Sequence, residues 1–114
     1  MINSLMLIGR MTKDVETKEK DGKEYAEIVI AVNRSFKNAD GIYETDFIPV
    51  ILWNGIANNV KKYCRKGDLM GIKGRIETRE DKIVVIAEKV SFLSSNKEIL
   101  KENGVENVRN KEEL

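Results

Sequence analysis

One segment of helical periodicity lies among strand-like runs, and this order restricts the fold more than any other feature of the chain. The segment has apolar residues at helical spacing on one stripe: Ile56, Ala57, Val60, Tyr63 and Cys64. Strand-like runs lie on both sides of it, three before and two after: residues 4–17, 24–36, 43–53, 68–79 and 83–93. Turn sequences such as Asp21-Gly22 and Asp40-Gly41 separate the runs.

A strand-strand-strand-helix-strand-strand order is typical of the oligonucleotide/oligosaccharide-binding (OB) fold. The predicted fold class is therefore all-β with one helix, a five-stranded OB-fold barrel. Residues 1–93 are predicted to form this domain. Residues 94–114 are predicted to be a charged C-terminal tail, either disordered or partly helical.

The composition argues against several classes of function. The chain has 114 residues, no histidine and a single cysteine, Cys64, so neither a disulfide nor a zinc site is expected. General acid–base catalysis usually relies on histidine or converging carboxylates, and pairs such as Asp14 and Glu16 are too few to hold a catalytic metal. We expect no enzyme activity and no cofactor. Neither a signal peptide nor a membrane span is evident, so a cytoplasmic location is predicted.

The aromatic residues of the second and third predicted strands need an explanation. In a strand, alternate side chains share a face, so Phe47 and Trp53 lie opposite the apolar stripe that ends at Leu52. That stripe is sufficient for the core. Phe36 lies near the end of the preceding strand. In an OB barrel these two strands carry the binding face, where rings can stack on bases. The alternative is that Phe47 belongs to the core and that Trp53 closes one end of the barrel.

The net charge is +1, from 20 basic and 19 acidic residues, so a nucleic-acid surface depends on where the cations lie. Arg34 and Lys37 flank Phe36. The fourth predicted strand has a basic stripe, interrupted by Glu77: Lys73, Arg75 and Arg79. Weaker candidates are Arg10, Lys62 and Lys66. Taken alone, a basic stripe of this kind is more often an ordinary solvated strand face than a nucleic-acid site. The remaining rings are expected to be packing residues: Tyr25, Tyr43 and Tyr63.

Four blocks of sequence resemble bacterial and phage single-stranded-DNA-binding proteins: "MINSLMLIGRMTKDVE", "IAVNRSFKNADGIYETDFIPVILW", "NNVKKYCRKGDLMGIKGRIETR" and "AEKVSFL". The resemblance implies an OB fold and sequence-independent binding of single strands in DNA replication, recombination or repair. It also implies a nucleoid-associated protein and a homotetramer rather than a dimer. Phe36, Phe47 and Trp53 occupy the family's stacking positions, and Lys66 and Arg79 match positions of phosphate-contacting cations.

The chain departs from the family pattern in three places. The hairpin between Arg79 and Ile83 is shorter than usual and lacks the family's fourth stacking ring. Gly55 replaces a common lysine. The final residues, "NKEEL", do not match the acidic tip ending in Ile-Pro-Phe, so partners that depend on this tip are not expected. An alternative function is therefore an OB-fold protein-interaction or primosome-accessory module with weak DNA affinity.

Overall fold

The computed structural model describes residues 1–94 and contains one helix and six strands in that range. The elements are β1 Leu5–Met11, β2 Lys18–Lys20, β3 Lys23–Lys37, β4 Tyr43–Trp53, α1 Asn54–Tyr63, β5 Leu69–Arg79 and β6 Lys82–Ser94. The helix lies between β4 and β5, as the sequence pattern predicts. The tail predicted for residues 94–114 lies outside the described residues, apart from Ser94 at the end of β6.

β1 closes the sheet into a barrel because it pairs with two strands. Most of β1 is antiparallel to β5, whereas Arg10 and Met11 also pair with Ala31 and Ile30 of β3. The remaining neighbours follow the order β5-β6-β4-β3, and β4 joins β6 in parallel where Val50 lies opposite Val85. The result is a closed barrel of five strands, with β2 as a short addition at the edge of β3, and the OB fold is confirmed.

The prediction of one long first strand over residues 4–17 is wrong. β1 ends at Met11, whose backbone N–H donates to the carbonyl of Asp68 at 2.9 Å. At the next residue, the Thr12 hydroxyl donates to the Val29 carbonyl at 2.9 Å. These hydrogen bonds hold Met11 and Thr12 between the start of β5 and β3, and the pairing of β1 with both strands ends here. The chain resumes as β2, which pairs with the start of β3 through a two-residue turn at Asp21 and Gly22.

The core lies inside the barrel, and α1 covers one end of it. Residues from every barrel strand are buried together, among them Met11, Ile28, Ile30, Leu52, Met70, Ile72 and Val85. Ala57 and Val60 of α1 and the adjacent Cys64 pack against them, as the helical stripe predicts. Burial raises the pKa of the Cys64 thiol to about 12, so the thiol is neutral at physiological pH. The helix that the structure describes within residues 1–94, α1, is too short and too polar to cross a membrane.

Gly74 is predicted to be essential for the packing of β5 against β6. A Cβ atom at this position would overlap the carbonyl oxygen of Ile86, beside an irregularity in the register of the two strands. Gly74→Ala should therefore lower the free energy of unfolding by about 1–3 kcal/mol or more, since backbone cannot yield like a flexible side chain. Gly55→Ala is the matched control, because nothing lies within 4 Å of its Cβ position. Denaturant unfolding followed by Trp53 emission measures both, and equal stabilities would contradict the prediction.

Candidate nucleic-acid interface

The aromatic residues of β4 lie on the outer face of the barrel. The β3–β4 ladder places Tyr25 opposite Trp53 and Ala31 opposite Phe47, while the alternate residues of both strands enter the core. Phe47 is 64% exposed and Phe36, near the end of β3, is 66% exposed. Phe47 and Trp53 lie about 20 Å apart along the strand, at about 3.3 Å per residue. The alternative that Phe47 is a core residue is therefore wrong.

Trp53 is partly buried, but its contacts lie outside the barrel core. It packs against a second, smaller apolar cluster formed by Ile51, Val84 and Ile86 on the outer faces of β4 and β6. The parallel pairing of β4 with β6 brings these residues together, with Ile51 opposite Ile86. Trp53 therefore does not close the barrel from within. Its ring packs against apolar side chains that belong to the outer face of the barrel.

A cleft of about 340 Å³ lies beside this apolar cluster, and we call it the Trp53 cleft. Its lining combines two rings, two aliphatic side chains, three cations and two carboxylates: Tyr25, Trp53, Ile51, Val84, Lys20, Arg79, Lys82, Glu27 and Glu80. Two of the residues predicted from sequence, Trp53 and Arg79, meet here.

Sequence reasoning assigned Tyr25 to packing and did not select Lys20 or Lys82. The sequence feature that indicates a position beside Trp53 for Tyr25 is the register of the predicted hairpin. Tyr25 and Trp53 are equally far along the chain from Ala39, the centre of the predicted loop at residues 37–41. A symmetric hairpin about that loop pairs the two rings.

Arg34 is engaged by carboxylates rather than free for a ligand. Its Nε and Nη2 atoms donate to Asp46 at 3.0 and 2.9 Å, and its Nη1 atom donates to Glu44 at 2.7 Å. The hydrogen bond from Arg34 holds the pKa of Asp46 below its usual value, and the bond to Asp46 raises the pKa of Arg34. This network links β3 to β4 near the loop end of the hairpin.

The predicted basic stripe of β5 is largely neutralised. Glu77 accepts hydrogen bonds from Arg75 on one carboxylate oxygen and from Arg79 on the other, at 2.9 Å from the nearest nitrogen of each. Arg75 also donates to Glu88 of β6 at 3.1 Å. Hydrogen bonds from both arginines, the larger effect coming from Arg79 and the smaller from Arg75, hold the pKa of Glu77 below its usual value. The carboxylate that interrupts the stripe in sequence therefore bridges its two arginines in space.

Four lysines of the predicted site form no ion pair within residues 1–94: Lys37, Lys62, Lys66 and Lys73. Lys37 lies over the ring of Tyr43 at 5.6 Å, near the exposed end of the hairpin. Lys73 lies elsewhere, in a second cleft on the outer face of β1, β5 and β6 with Met6, Ile8 and Lys89.

Arg10 lies in the same row as one of the rings, because it pairs with Ala31 of β3, which in turn lies opposite Phe47 of β4. Lys62 and Lys66 lie on α1 and in the loop that follows it. Lys62 lies over the ring of Tyr63 at 5.4 Å, on α1. Arg10 donates to the carbonyl of Gly67 at 2.9 Å, beside the exposed Lys66. The structure thus divides the predicted cations among the β3–β4 hairpin, the two clefts, β1, β5, and α1 with the loop that follows it.

The expectation that Tyr43 and Tyr63 are packing residues is wrong, because both rings are exposed. Tyr43 lies in the solvated part of the hairpin beyond the barrel, opposite Lys37. Tyr63 lies at the end of α1, where its ring contacts the Phe92 ring with a centroid separation of 5.7 Å. Tyr25 is partly buried against Trp53, with a centroid separation of 5.3 Å.

A closed OB barrel with solvent-exposed rings and unpaired lysines on its outer face belongs to the class of oligonucleotide-binding barrels. Comparison with known proteins agrees. The model of the single-strand binding protein family matches residues 2–93. The chain belongs to this family, and single-stranded DNA binding is the function that membership supports. The family is not enzymatic, so the expectation that the chain is not an enzyme is confirmed.

Named relatives cover most of the chain. It is 48% identical over 80 residues to single-stranded DNA-binding protein B of Bacillus subtilis, which covers 69% of this chain and 71% of that protein. It is 41% identical over 108 residues to single-stranded DNA-binding protein 1 of Clostridium acetobutylicum, over 85% of this chain and 98% of the relative. A Streptococcus pyogenes relative is 48% identical over 80 residues, over 69% of this chain and 62% of its own length.

The Glu77 bridge is predicted to limit DNA affinity. Glu77→Gln would remove the carboxylate that Arg79 and Arg75 share. The Arg79 guanidinium would then be free to take up phosphate, whereas Arg75 would stay paired with Glu88 alone. We expect tighter binding of oligo-dT and a steeper salt dependence, by about 0.7 in log–log slope for each additional phosphate that is neutralised. Glu16→Gln is the control, because it removes the same charge from an exposed carboxylate outside these ion pairs. Equal effects of the two variants would show that only net charge matters.

Proposed function

We propose that the protein binds single-stranded DNA without sequence preference, by stacking bases on Phe36, Phe47 and Trp53. The observation that carries the proposal is the exposure of Phe36 and Phe47 on a hairpin whose other face supplies the core. Exposed apolar side chains that are grouped on one face indicate an interaction site, whereas single ones are common. Phe36 and Phe47 lie on the same hairpin. Every base offers a π-face, so such rings support binding that tolerates any sequence.

Phosphate contacts would come from lysines first and arginines second. Lys37 lies beside Phe36, while Lys66 and Lys73 are exposed, and none of the three forms an ion pair within residues 1–94. Arg34, Arg75 and Arg79 would have to exchange a carboxylate for a phosphate. Arg10, two strands from Phe47 on the outer face, and Lys62, on α1, complete the proposed set. Residues 1–93 would act as the DNA-binding domain, in the cytoplasm and associated with the nucleoid, during replication, recombination or repair.

One observation favours the alternative function, an OB-fold protein-interaction or primosome-accessory module with weak DNA affinity. Three of the proposed cations are already neutralised by carboxylates of the same chain: Arg34, Arg75 and Arg79. Weak affinity in the titrations below, at salt where a relative measured alongside binds tightly, would favour this alternative.

Phe47→Ala is expected to weaken oligo-dT binding by about 1–3 kcal/mol, the range for one stacking contact. The side chain is exposed, so the fold should remain intact. Ile42→Ala is the matched control, because Ile42 is also an exposed apolar residue of the same hairpin but offers no ring. Fluorescence titration against Trp53 emission measures both variants. Unchanged affinity of Phe47→Ala would contradict stacking at this position, and equal losses in the two variants would point to general apolar contact.

We also propose that the protein forms a homotetramer, with the outer face of β1 in one of its interfaces. Met6 and Ile8 project from this face with 76% and 59% of their surfaces exposed, and they line the second cleft with Leu93 and Lys73. An interface over Met6 and Ile8 would have to leave Lys73 at its rim for the proposed phosphate contact. Adjacent exposed apolar side chains of this kind mark association surfaces. No partner that recognises an acidic C-terminal tip is proposed.

Met6→Lys should lower the mass of the assembly in solution, because it places a charge within the proposed apolar interface. Light scattering of the full chain, with and without oligo-dT, measures the mass. Ile42→Lys introduces the same charge at an exposed position away from β1 and should leave the mass unchanged. A Met6→Lys variant with the mass of the parent protein would exclude this face from the interface.

A further inference from the structure

We propose that the Trp53 cleft is a subsite for one nucleotide of the bound strand, in which Tyr25 is a second stacking ring. The inference rests on the proposed function and adds a residue and a position that the sequence pattern did not assign to DNA.

Tyr25 and Trp53 form a platform whose geometry is set by the sheet. They are direct partners in the β3–β4 ladder, and their ring centroids lie 5.3 Å apart with the planes tilted by 38°. Ile51 and Val84 line the cleft beneath them. The strand fixes the backbone position of each ring, and each ring packs against the other. A base that stacks on them meets side chains that are already in position, which reduces the entropy lost on binding.

The mouth of the cleft lies between the tips of two tight hairpins. Lys20 ends β2 at the two-residue turn of Asp21 and Gly22. Arg79 and Lys82 close the β5–β6 hairpin around the two-residue turn of Glu80 and Asp81, both at positive φ. Because both turns are this short, the last strand residues themselves line the cleft instead of a long loop.

The cleft places two lysines beside its aromatic rings, although the summed charge of the lining is nearly balanced once Arg79 is paired with Glu77. Lys20, Arg79 and Lys82 line it, against the two carboxylates of Glu27 and Glu80. Lys20 and Lys82 form no ion pair within the part of the chain that the structure describes. A nucleotide has both required parts, a planar base for the rings and a phosphate for the lysines. An uncharged aromatic ligand would stack on the rings but would give the two lysines no anion to bind.

The test compares two tyrosines that each contact another ring. Tyr25→Leu removes the ring but keeps apolar volume, and it should weaken oligo-dT binding about 5- to 150-fold, the equivalent of one stacking contact. Tyr25→Phe keeps the ring and should bind like the parent protein. Tyr63→Leu is the matched control, since Tyr63 contacts Phe92 outside the cleft. It should leave affinity unchanged.

The outcomes separate this inference from the proposed function. If Tyr25→Leu binds like the parent while Phe47→Ala binds more weakly, the cleft subsite is wrong and stacking on the hairpin stands. If neither variant loses affinity, the proposed function fails as well. Equal losses in Tyr25→Leu and Tyr25→Phe would assign the effect to the hydroxyl group and overturn the stacking role.

If Tyr25→Leu does not fold, two double variants test whether the cleft binds a nucleotide. Lys20→Gln combined with Lys82→Gln changes only exposed side chains at the cleft mouth. The salt dependence of oligo-dT binding should become shallower, by up to about 0.7 in log–log slope for each phosphate that the variant no longer neutralises. Lys13→Gln combined with Lys61→Gln removes the same charge elsewhere. Identical slopes for the two double variants would overturn the subsite.

Discussion

The antiparallel ladder between β3 and β4 is the constraint on which both the core and the binding surface depend. It extends from Tyr25 opposite Trp53 to Lys37 opposite Tyr43. Alternate residues of the two strands, such as Ile28 and Leu52, are buried in the barrel. A slip of one residue in either strand would exchange the two faces of that strand and expose its apolar stripe. Burial of that stripe therefore holds the outer residues in the positions that a bound strand would meet.

The electrostatics of the surface follow from the chemistry of arginine. Arg34 and Arg75 each contact two carboxylates, because a planar guanidinium group matches carboxylates through several parallel hydrogen bonds. These ion pairs are exposed, and exposed pairs contribute little to stability. A phosphate can therefore replace a carboxylate without loss of the fold. Within residues 1–94, the lysines of the same surface form no ion pair with a carboxylate, so they can bind phosphate without first giving up another partner.

Much of the fold was predictable because the relevant signals are local. Alternation in residues 24–36 and 43–53, the helical stripe ending at Cys64 and the turn at Asp21-Gly22 each depend on neighbours along the chain. The end of β1 at Met11 was not predictable in the same way. It depends on hydrogen bonds to Val29 and Asp68, which no pattern within residues 4–17 reveals.

The sequence by itself determined the order of the barrel strands and the helix, together with the apolar stripes, because alternation along a strand is a property of consecutive residues. That Phe47 is exposed rather than part of the core was decided by the structure. Only the tertiary structure decided that Glu77 neutralises Arg75 and Arg79, and that Trp53 rests on Val84 and Ile86 rather than inside the barrel. The contact of Trp53 joins β4 to β6, two strands far apart in the chain. The closed sheet makes them parallel neighbours, and only that closure places Trp53, Tyr25 and the two hairpin tips around one cleft.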